Sequence, residues 1–175
     1  IDRDLNEAKK ELNELKEIVR SSLQELRKII FNLRPSSLDN LGLQAVTKRY
    51  CEEFQEETGI RTEFRFFGDK TRLDSEIEVT IFRLIQEALT NVKKHSKAKN
   101  CIVKLEFGDG KANLVIADDG VGFEVCAPVR DDSEPRFGIM TIQERVALVD
   151  GPFNIESERG QGTKLFATIP FTNGL

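Results

Sequence analysis

The segment from Ser75 to Ser96 constrains the fold of this chain more than any other part of it. Its apolar residues recur at the spacing of a helix that is buried over most of its surface: Val79, Ile81, Phe82, Leu84, Ile85, Ala88, Leu89 and Val92. Glu87, Asn91 and His95 follow one another at four-residue intervals and form one polar stripe along that helix. Burying such groups is costly unless something pairs with them, so the sequence predicts a partner beside the stripe.

Composition narrows the classes of protein to consider. The 175 residues fit one domain, or one domain with an appendage. A formal net charge of −4 gives no electrostatic reason to bind nucleic acid or an anionic membrane. No apolar run approaches the roughly 20 residues that span a bilayer, so we expect no membrane contact by this segment.

Cys51, Cys101 and Cys126 lack metal-ligand spacing, which favours buried thiols in a cytoplasmic protein. The chain starts at Ile1, and its single methionine is Met140. We therefore expect it to be a fragment of a longer polypeptide.

Residues 1–34 show one uninterrupted helical pattern. Its stripe positions alternate by three and four residues: Leu5, Ala8, Leu12, Leu15, Val19, Ser22, Leu26, Ile29 and Leu33. Pro35 ends the helix. A single helix cannot bury such a stripe, so we expect it to be half of a dimerisation bundle. The alternative is a solvated arm packed in some other way.

The remaining sequence predicts an α+β domain, in which helices cover one face of a mixed sheet. Residues 35–42 are rich in Pro, Ser, Asp, Asn and Gly and are predicted to form a turn. The predicted helices are 41–58, 75–96 and 137–149, and the predicted strands are 60–67, 101–107, 112–118, 153–157 and 164–170.

Four polar or glycine-rich stretches carry candidate chemistry. On the central helix, Asn91 offers a neutral oxygen suited to Mg²⁺, Lys94 a point charge suited to phosphate, and Glu87 a carboxylate that can orient a water. The second stretch, 118–122, places the Asp118 carboxylate at a strand end before two glycines, where it can accept a hydrogen bond from a flat ligand. The stretches at 136–139 and 160–163 offer backbone N–H groups to an anion.

The order and spacing of these stretches resemble the GHKL (Bergerat) ATP-binding fold, specifically the catalytic domain of sensor histidine kinases. QEALTNVKKH is similar to the N box, DDGVGF to the first glycine box, RFGIM to the second and RGQGTKLFATIP to the last. LRKIIFNLRPSSLDNLGLQAV resembles the dimerisation helix and connector of the subfamily that partners NarL-type response regulators. The resemblance implies a catalytic two-layer α/β sandwich at 35–175. It also implies that residues 1–34 are the second helix of a dimerisation hairpin.

The resemblance also implies a site for ATP and Mg²⁺. Asn91 would bind the metal, Glu87 would support it and its water, and Lys94 would contact phosphates. His95 would pack near the base or ribose, and Asp118 would accept a hydrogen bond from the adenine amine. The other implied nucleotide-site residues are Gly120, Gly122, Phe123, Gly138, Ile139, Gly162 and Thr163.

Further roles follow from the same resemblance. Gly120 and Gly122 would shape the floor of the site, and residues 123–136 would form an ATP lid. Gly162 and Thr163 would line the far side of the nucleotide.

The implied activity is transfer of the ATP γ-phosphoryl group to a histidine, for relay to a NarL-type response regulator, in a homodimer formed through the helical bundle. The sequence departs from the family in two places. Its only histidine is His95, in the nucleotide box, so we expect transfer only to a histidine supplied in trans. Thr141 stands where the second glycine box usually has another glycine. Either this departure weakens binding of the phosphates, or the Thr141 hydroxyl substitutes as a donor.

The sequence leaves two alternatives open. One is an anti-sigma type serine kinase of the same superfamily, against which the long heptad helix argues. The other is a non-catalytic interaction module gated by ATP, which the Thr141 departure keeps open.

Overall fold

A computed structural model of the chain describes residues 36–68, 73–125 and 135–171, with the backbone alone at 36, 37 and 135–137. The chain divides into two compact units, Ile1–Pro35 and Ser36–Leu175, and every described residue lies in the second. The predicted heptad helix, most of the predicted lid and Cys126 lie outside the described residues.

The described chain forms three α-helices and five strands. The helices are α1 (Ser36–Thr58), α2 (Ser75–Asn91), which continues as a π-helical turn (Val92–Ser96), and α3 (Pro135–Ala147). The strands are β1 (Arg61–Phe67), β2 (Asn100–Gly108), β3 (Lys111–Asp118), β4 (Phe153–Glu158) and β5 (Gly162–Pro170). Among these helices, none combines the length and apolar character needed to cross a membrane.

The five strands form one mixed sheet in the order β1-β2-β3-β5-β4. β1 runs parallel to β2, and the other neighbouring strands are antiparallel. Along β2, β3 and β5, fully buried side chains alternate with more exposed ones, because successive residues of a strand point to opposite faces. The buried face lies against the helices, which confirms the predicted mixed sheet with one covered face.

The predicted turn at 35–42 is wrong for most of its length. Residues 36–41 are helical, and the chain leaves helical geometry only at Gly42, where φ is 77° and ψ is 163°. Ser, Asp and Asn favour turns and also the first turn of a helix, which is why this stretch suggested the wrong structure. The predicted end of α1 is confirmed: Gly59 has a φ of 73° and its N–H donates to the carbonyl of Gln55.

Helix α2 is the central element of the helical layer. Asp74 caps it by accepting a hydrogen bond of 2.9 Å from the Glu76 N–H. Both α1 and α3 pack against α2, and the Tyr50 and Phe82 rings meet edge to face between α1 and α2 with centroids 5.5 Å apart. The predicted helix at 75–96 is confirmed. Its final π-helical turn, which ends at Lys97 in the left-handed region, was not predicted.

A pair of leucine substitutions tests whether α2 supports the core. Leu84 on α2 is 0% exposed, whereas Leu148, just past α3, is 85% exposed. We expect Leu84→Ala to lower the free energy of unfolding by about 3 kcal/mol, because it removes buried methyl groups and leaves a cavity. Leu148→Ala, the matched control, should change it by less than about 0.5 kcal/mol. Urea denaturation measures both, and equal losses would contradict the assigned core.

Candidate functional site

A cleft lies between the end of α2 and the covered face of the sheet. It encloses about 550 Å³ of empty space, counting the solvent at its mouth. Its lining residues come from α2, the π-helical turn, three strands, the loop after β3 and the start of α3: Ala88, Asn91, Val92, His95, Ser96, Ile116, Asp118, Gly122, Phe123, Ile139, Ile155, Thr163 and Leu165. A mainly apolar cleft with a few convergent polar groups is typical of a small-molecule site.

Asp118 is the acidic group at the sheet end of this cleft. It is the last residue of β3, and its Oδ1 accepts a hydrogen bond of 2.8 Å from the Gly120 N–H. Burial raises the pKa of its carboxyl group above the usual value, and the charge of Asp119 adds to that rise. The N–H groups of Gly120 and Thr163 act in the opposite direction without cancelling it. A half-desolvated carboxylate of this kind gains by accepting a hydrogen bond from a ligand.

The neighbouring Asp119 faces away from the cleft and has a structural role. Its carboxylate accepts hydrogen bonds from the N–H groups of Lys99 and Asn100, both at 2.8 Å, and from the Asn100 side-chain amide at 2.7 Å. The side-chain bond from Asn100, followed by the backbone bonds, lowers the pKa of Asp119. Asp119 therefore ties the loop after β3 to the start of β2.

Two glycines allow close backbone packing beneath the cleft. Gly122 has a φ of 57°, and a side chain there would collide with the carbonyl of Glu158. Gly162 has a φ of 77°, and a side chain there would collide with the carbonyl of Asp118. Both positions therefore require glycine for conformation and for space, which brings the loop after β3 against the β4–β5 turn.

The start of α3 packs on the polar stripe of α2. A Cβ atom added to Gly138 would lie 2.5 Å from Asn91 Oδ1 and 2.7 Å from Glu87 Oε1. The amide and carboxylate oxygens therefore converge beside one point of the α3 backbone. In the part of the chain that the structure describes, no three His, Cys, Asp or Glu side chains cluster as a metal site, so a cation here would need further oxygen ligands.

The structure brings most of the predicted site residues together. Those that line the cleft are Asn91, His95, Asp118, Gly122, Phe123, Ile139 and Thr163. Glu87, Gly120, Gly138 and Gly162 lie directly behind that lining. Lys94 is exposed and does not line the cleft. Thr163, expected on the nucleotide's far side, is paired with Asp118 across β3 and β5.

Sequence reasoning missed two serines at this site. Ser96 ends the π-helical turn, lines the cleft, and accepts at its carbonyl a 2.7 Å hydrogen bond from the Val121 N–H. Ser157 on β4 accepts a 2.9 Å hydrogen bond from the Phe123 N–H. Neither belongs to a glycine box or to the polar stripe, so only the three-dimensional packing identifies them.

Two protein-family models match this chain. The model of the histidine kinase-, DNA gyrase B- and HSP90-like ATPases matches residues 76–173, and a histidine kinase model matches residues 1–38. The chain belongs to this ATPase family. Within the family it corresponds to the ATP-binding catalytic portion of sensor histidine kinases, as its relatives indicate.

One relative is the signal transduction histidine-protein kinase/phosphatase DegS of Brevibacillus brevis, 39% identical over 98% of this chain. The match covers 43% of DegS, so the chain spans less than half the length of that relative. Two solved structures share the fold at a TM-score of 0.59. The histidine kinase domain of the Erythrobacter litoralis EL346 blue-light activated kinase is 21% identical, with 74% of this chain and 61% of that chain covered. Full-length ShkA in complex with AMPPNP is 20% identical, with 76% and 30% covered.

The role of Asp119 predicts a pH-dependent contribution to stability. Since its folded-state pKa is lowered, its stabilisation is complete above the usual aspartate pKa of about 3.9 and is lost as the pH falls through the folded-state value. Asp119→Ala should therefore lower the melting temperature at pH 7 by about 3 °C, with the difference shrinking in acid. Glu56→Ala, an exposed helix carboxylate, is the control and should change little. A pH-independent difference would contradict this role.

Proposed function

We propose that this chain binds ATP in the cleft and presents its γ-phosphoryl group to a histidine on a helix supplied in trans, for relay to a NarL-type response regulator. One observation carries the proposal. Asp118 and Thr163 lie at one end of a single cleft, while His95 and Asn91 line the same cleft from α2, where the oxygens of Asn91 and Glu87 converge. A nucleotide needs both kinds of end, one for its base and one for its phosphates.

The sheet end suits an adenine. Asp118 accepts one backbone hydrogen bond, from the Gly120 N–H, and keeps the acceptor character of a carboxylate. An exocyclic amine is a donor that this carboxylate can bind. The apolar side chains of Ile116, Ile155 and Leu165 beside it suit the faces of a flat ring.

The α2 end suits phosphates held with Mg²⁺. Carboxylate and amide oxygens from Glu87 and Asn91 converge beside Gly138, and oxygen donors of this kind are what Mg²⁺ takes together with water and phosphate. We assign Asn91 as the protein ligand and Glu87 as the group that orients a water. When bound, Mg²⁺ neutralises charge that develops on the phosphoryl oxygens. His95 lines the cleft and has no role as the acceptor.

The wider role rests on the segment before the catalytic domain. The histidine kinase match at residues 1–38 supports a helix of the dimerisation hairpin, and with it a homodimer and a cytoplasmic location for this portion. The DegS relative supports a response regulator of NarL type as the partner. The histidine kinase match at residues 1–38 also favours a histidine as the phosphoryl acceptor over the serine of the anti-sigma alternative.

A transfer experiment tests the acceptor. The chain is incubated with γ-labelled ATP, Mg²⁺ and a separately supplied acceptor-helix fragment that carries a histidine. We expect acid-labile label on the fragment, as for phosphohistidine. Acid-stable label on a serine would favour the anti-sigma type kinase. ATP binding without any transfer would favour the non-catalytic module.

Substitutions at two positions separate binding from folding. Asp118→Asn should weaken ATP binding by about tenfold or more, since an amide is a poorer acceptor than a carboxylate. It should not lower the melting temperature, because it removes a charge that burial disfavours. Asn91→Asp should fold normally and change the dependence of binding on Mg²⁺. Calorimetric titration and thermal melts measure these effects. ATP binding insensitive to Asp118→Asn and to Asn91→Ala would reject the proposed site.

Gly138 offers an independent test of the α2 end. Gly138→Ala places a methyl group against Asn91 and Glu87, so it should weaken ATP binding by about tenfold as α3 moves away. Gly108→Ala is the control, because a methyl group there meets no atom within 4 Å and the backbone has no positive φ. An unchanged Kd for Gly138→Ala would mean that α3 does not position these oxygens.

A further inference from the structure

A row of three polar side chains crosses the sheet at the Asp118 end of the cleft. Asp118 on β3 pairs with Thr163 on β5, and Thr163 pairs with Ser157 on β4. Directly paired residues of antiparallel strands point to the same face of a sheet. Asp118 and Thr163 line the cleft, whereas Ser157 lies beside Thr163 on the side away from Asp118.

The Ser157 hydroxyl contacts three polar groups. It lies 2.9 Å from the Phe123 nitrogen, 3.0 Å from the Gly162 carbonyl oxygen and 3.0 Å from Thr163 Oγ1. A hydroxyl has one proton to donate and two lone pairs that accept. These three contacts therefore use its whole capacity.

The chemistry of the partners fixes the direction of each bond. The Phe123 N–H can only donate, and the Gly162 carbonyl can only accept. If Ser157 gives its proton to Gly162, the Thr163 hydroxyl must donate to Ser157, and all of these groups are satisfied. If Ser157 instead donates to Thr163, the Gly162 carbonyl loses this bond. Because part-buried polar groups are rarely left unpaired, the first assignment is favoured.

This assignment determines what Thr163 presents to the cleft. Its hydroxyl proton points toward Ser157, so its remaining lone pairs face the cleft as acceptors. Asp118 beside it is a carboxylate and also accepts. This end of the cleft then offers two acceptors side by side and suits an exocyclic amine, whose two N–H groups can each meet one of them.

We propose that Ser157 is a positioning residue that sets base specificity, by holding the Thr163 hydroxyl as an acceptor toward the cleft. The inference rests on the proposed nucleotide site and adds a discrimination to it. Adenine presents an exocyclic amine, a donor, whereas guanine and hypoxanthine present a carbonyl oxygen, an acceptor, at the same position. Two fixed acceptors repel that carbonyl. A Thr163 hydroxyl free to rotate would bind it.

The same hydroxyl also ties the loop after β3 to the β4–β5 hairpin through Phe123. A purely structural role would lower the affinity for every nucleotide equally. The specificity role changes a ratio of affinities, which a loss of packing alone does not change.

The experiment measures the Kd of ADP and of IDP, whose hypoxanthine replaces the amine by a carbonyl. For the unaltered chain we expect ADP to bind more tightly. Ser157→Ala should lower the ratio of the IDP Kd to the ADP Kd by about tenfold, since the Thr163 proton becomes free to donate. Ser157→Thr keeps a hydroxyl and should keep the ratio. Thr168→Val, which removes a hydroxyl bonded to Asn113 on the open face of the sheet, should also keep it.

A second variant distinguishes a change of base specificity from a folding defect. Thr163→Val removes the hydroxyl that Ser157 orients, so adding Ser157→Ala to it should leave the ratio unchanged. An unchanged ratio in Ser157→Ala alone, with both affinities lowered equally, would overturn the specificity role and leave the nucleotide site intact. Failure of the unaltered chain to bind either nucleotide would overturn both proposals. If Ser157→Ala raised the preference for ADP, the assignment of the Ser157 and Thr163 hydroxyl protons would be wrong.

Discussion

The backbone of Val121 joins the two walls of the cleft, and the site depends on this junction. The Val121 N–H donates to the Ser96 carbonyl at the end of the π-helical turn, at 2.7 Å. The Val121 carbonyl accepts from the Gly160 N–H in the β4–β5 turn, also at 2.7 Å. Because Asp119 adds bonds to the start of β2, the loop is held from three directions. Asp118 is thus fixed by its neighbours, and its own carboxylate stays available to a ligand.

Asp118 and Asp119 are adjacent, yet their environments shift their pKa values in opposite directions. Burial raises the pKa of Asp118, whereas hydrogen bonds led by the Asn100 side chain lower that of Asp119. Ionised Asp118 therefore lowers the stability of the folded chain at neutral pH, and ionised Asp119 raises it. Asp119, the stabilising group, holds the loop that directly follows Asp118, the destabilising one. This arrangement suits a binding site, because the Asp118 carboxylate gains free energy when a ligand donates a hydrogen bond to it.

The sequence predicts most of the elements and few of their contacts. The apolar period of α2 and the alternation in the strands predict the layered α+β fold, because burial of one face imposes those periods. The polar stripe and glycine boxes identify most of the cleft lining. The helical residues 36–41 were mistaken for a turn, since the same side chains favour both structures. Ser157 was missed because its role arises from the pairing of β4 with β5, which no local pattern records.

The two ends of the cleft depend on different kinds of packing. Asp118, Thr163 and Ser157 occupy one row of paired strands, where the ladder of backbone hydrogen bonds fixes their spacing. The oxygens of Glu87 and Asn91 instead meet α3 through Gly138, where only the absence of a side chain permits contact. A shift of α3 would therefore alter the surroundings of these oxygens while leaving Asp118, Thr163 and Ser157 in place. In the proposed site, recognition of the base rests on the sheet, whereas the Asn91 and Glu87 oxygens depend on the packing of α3 on α2.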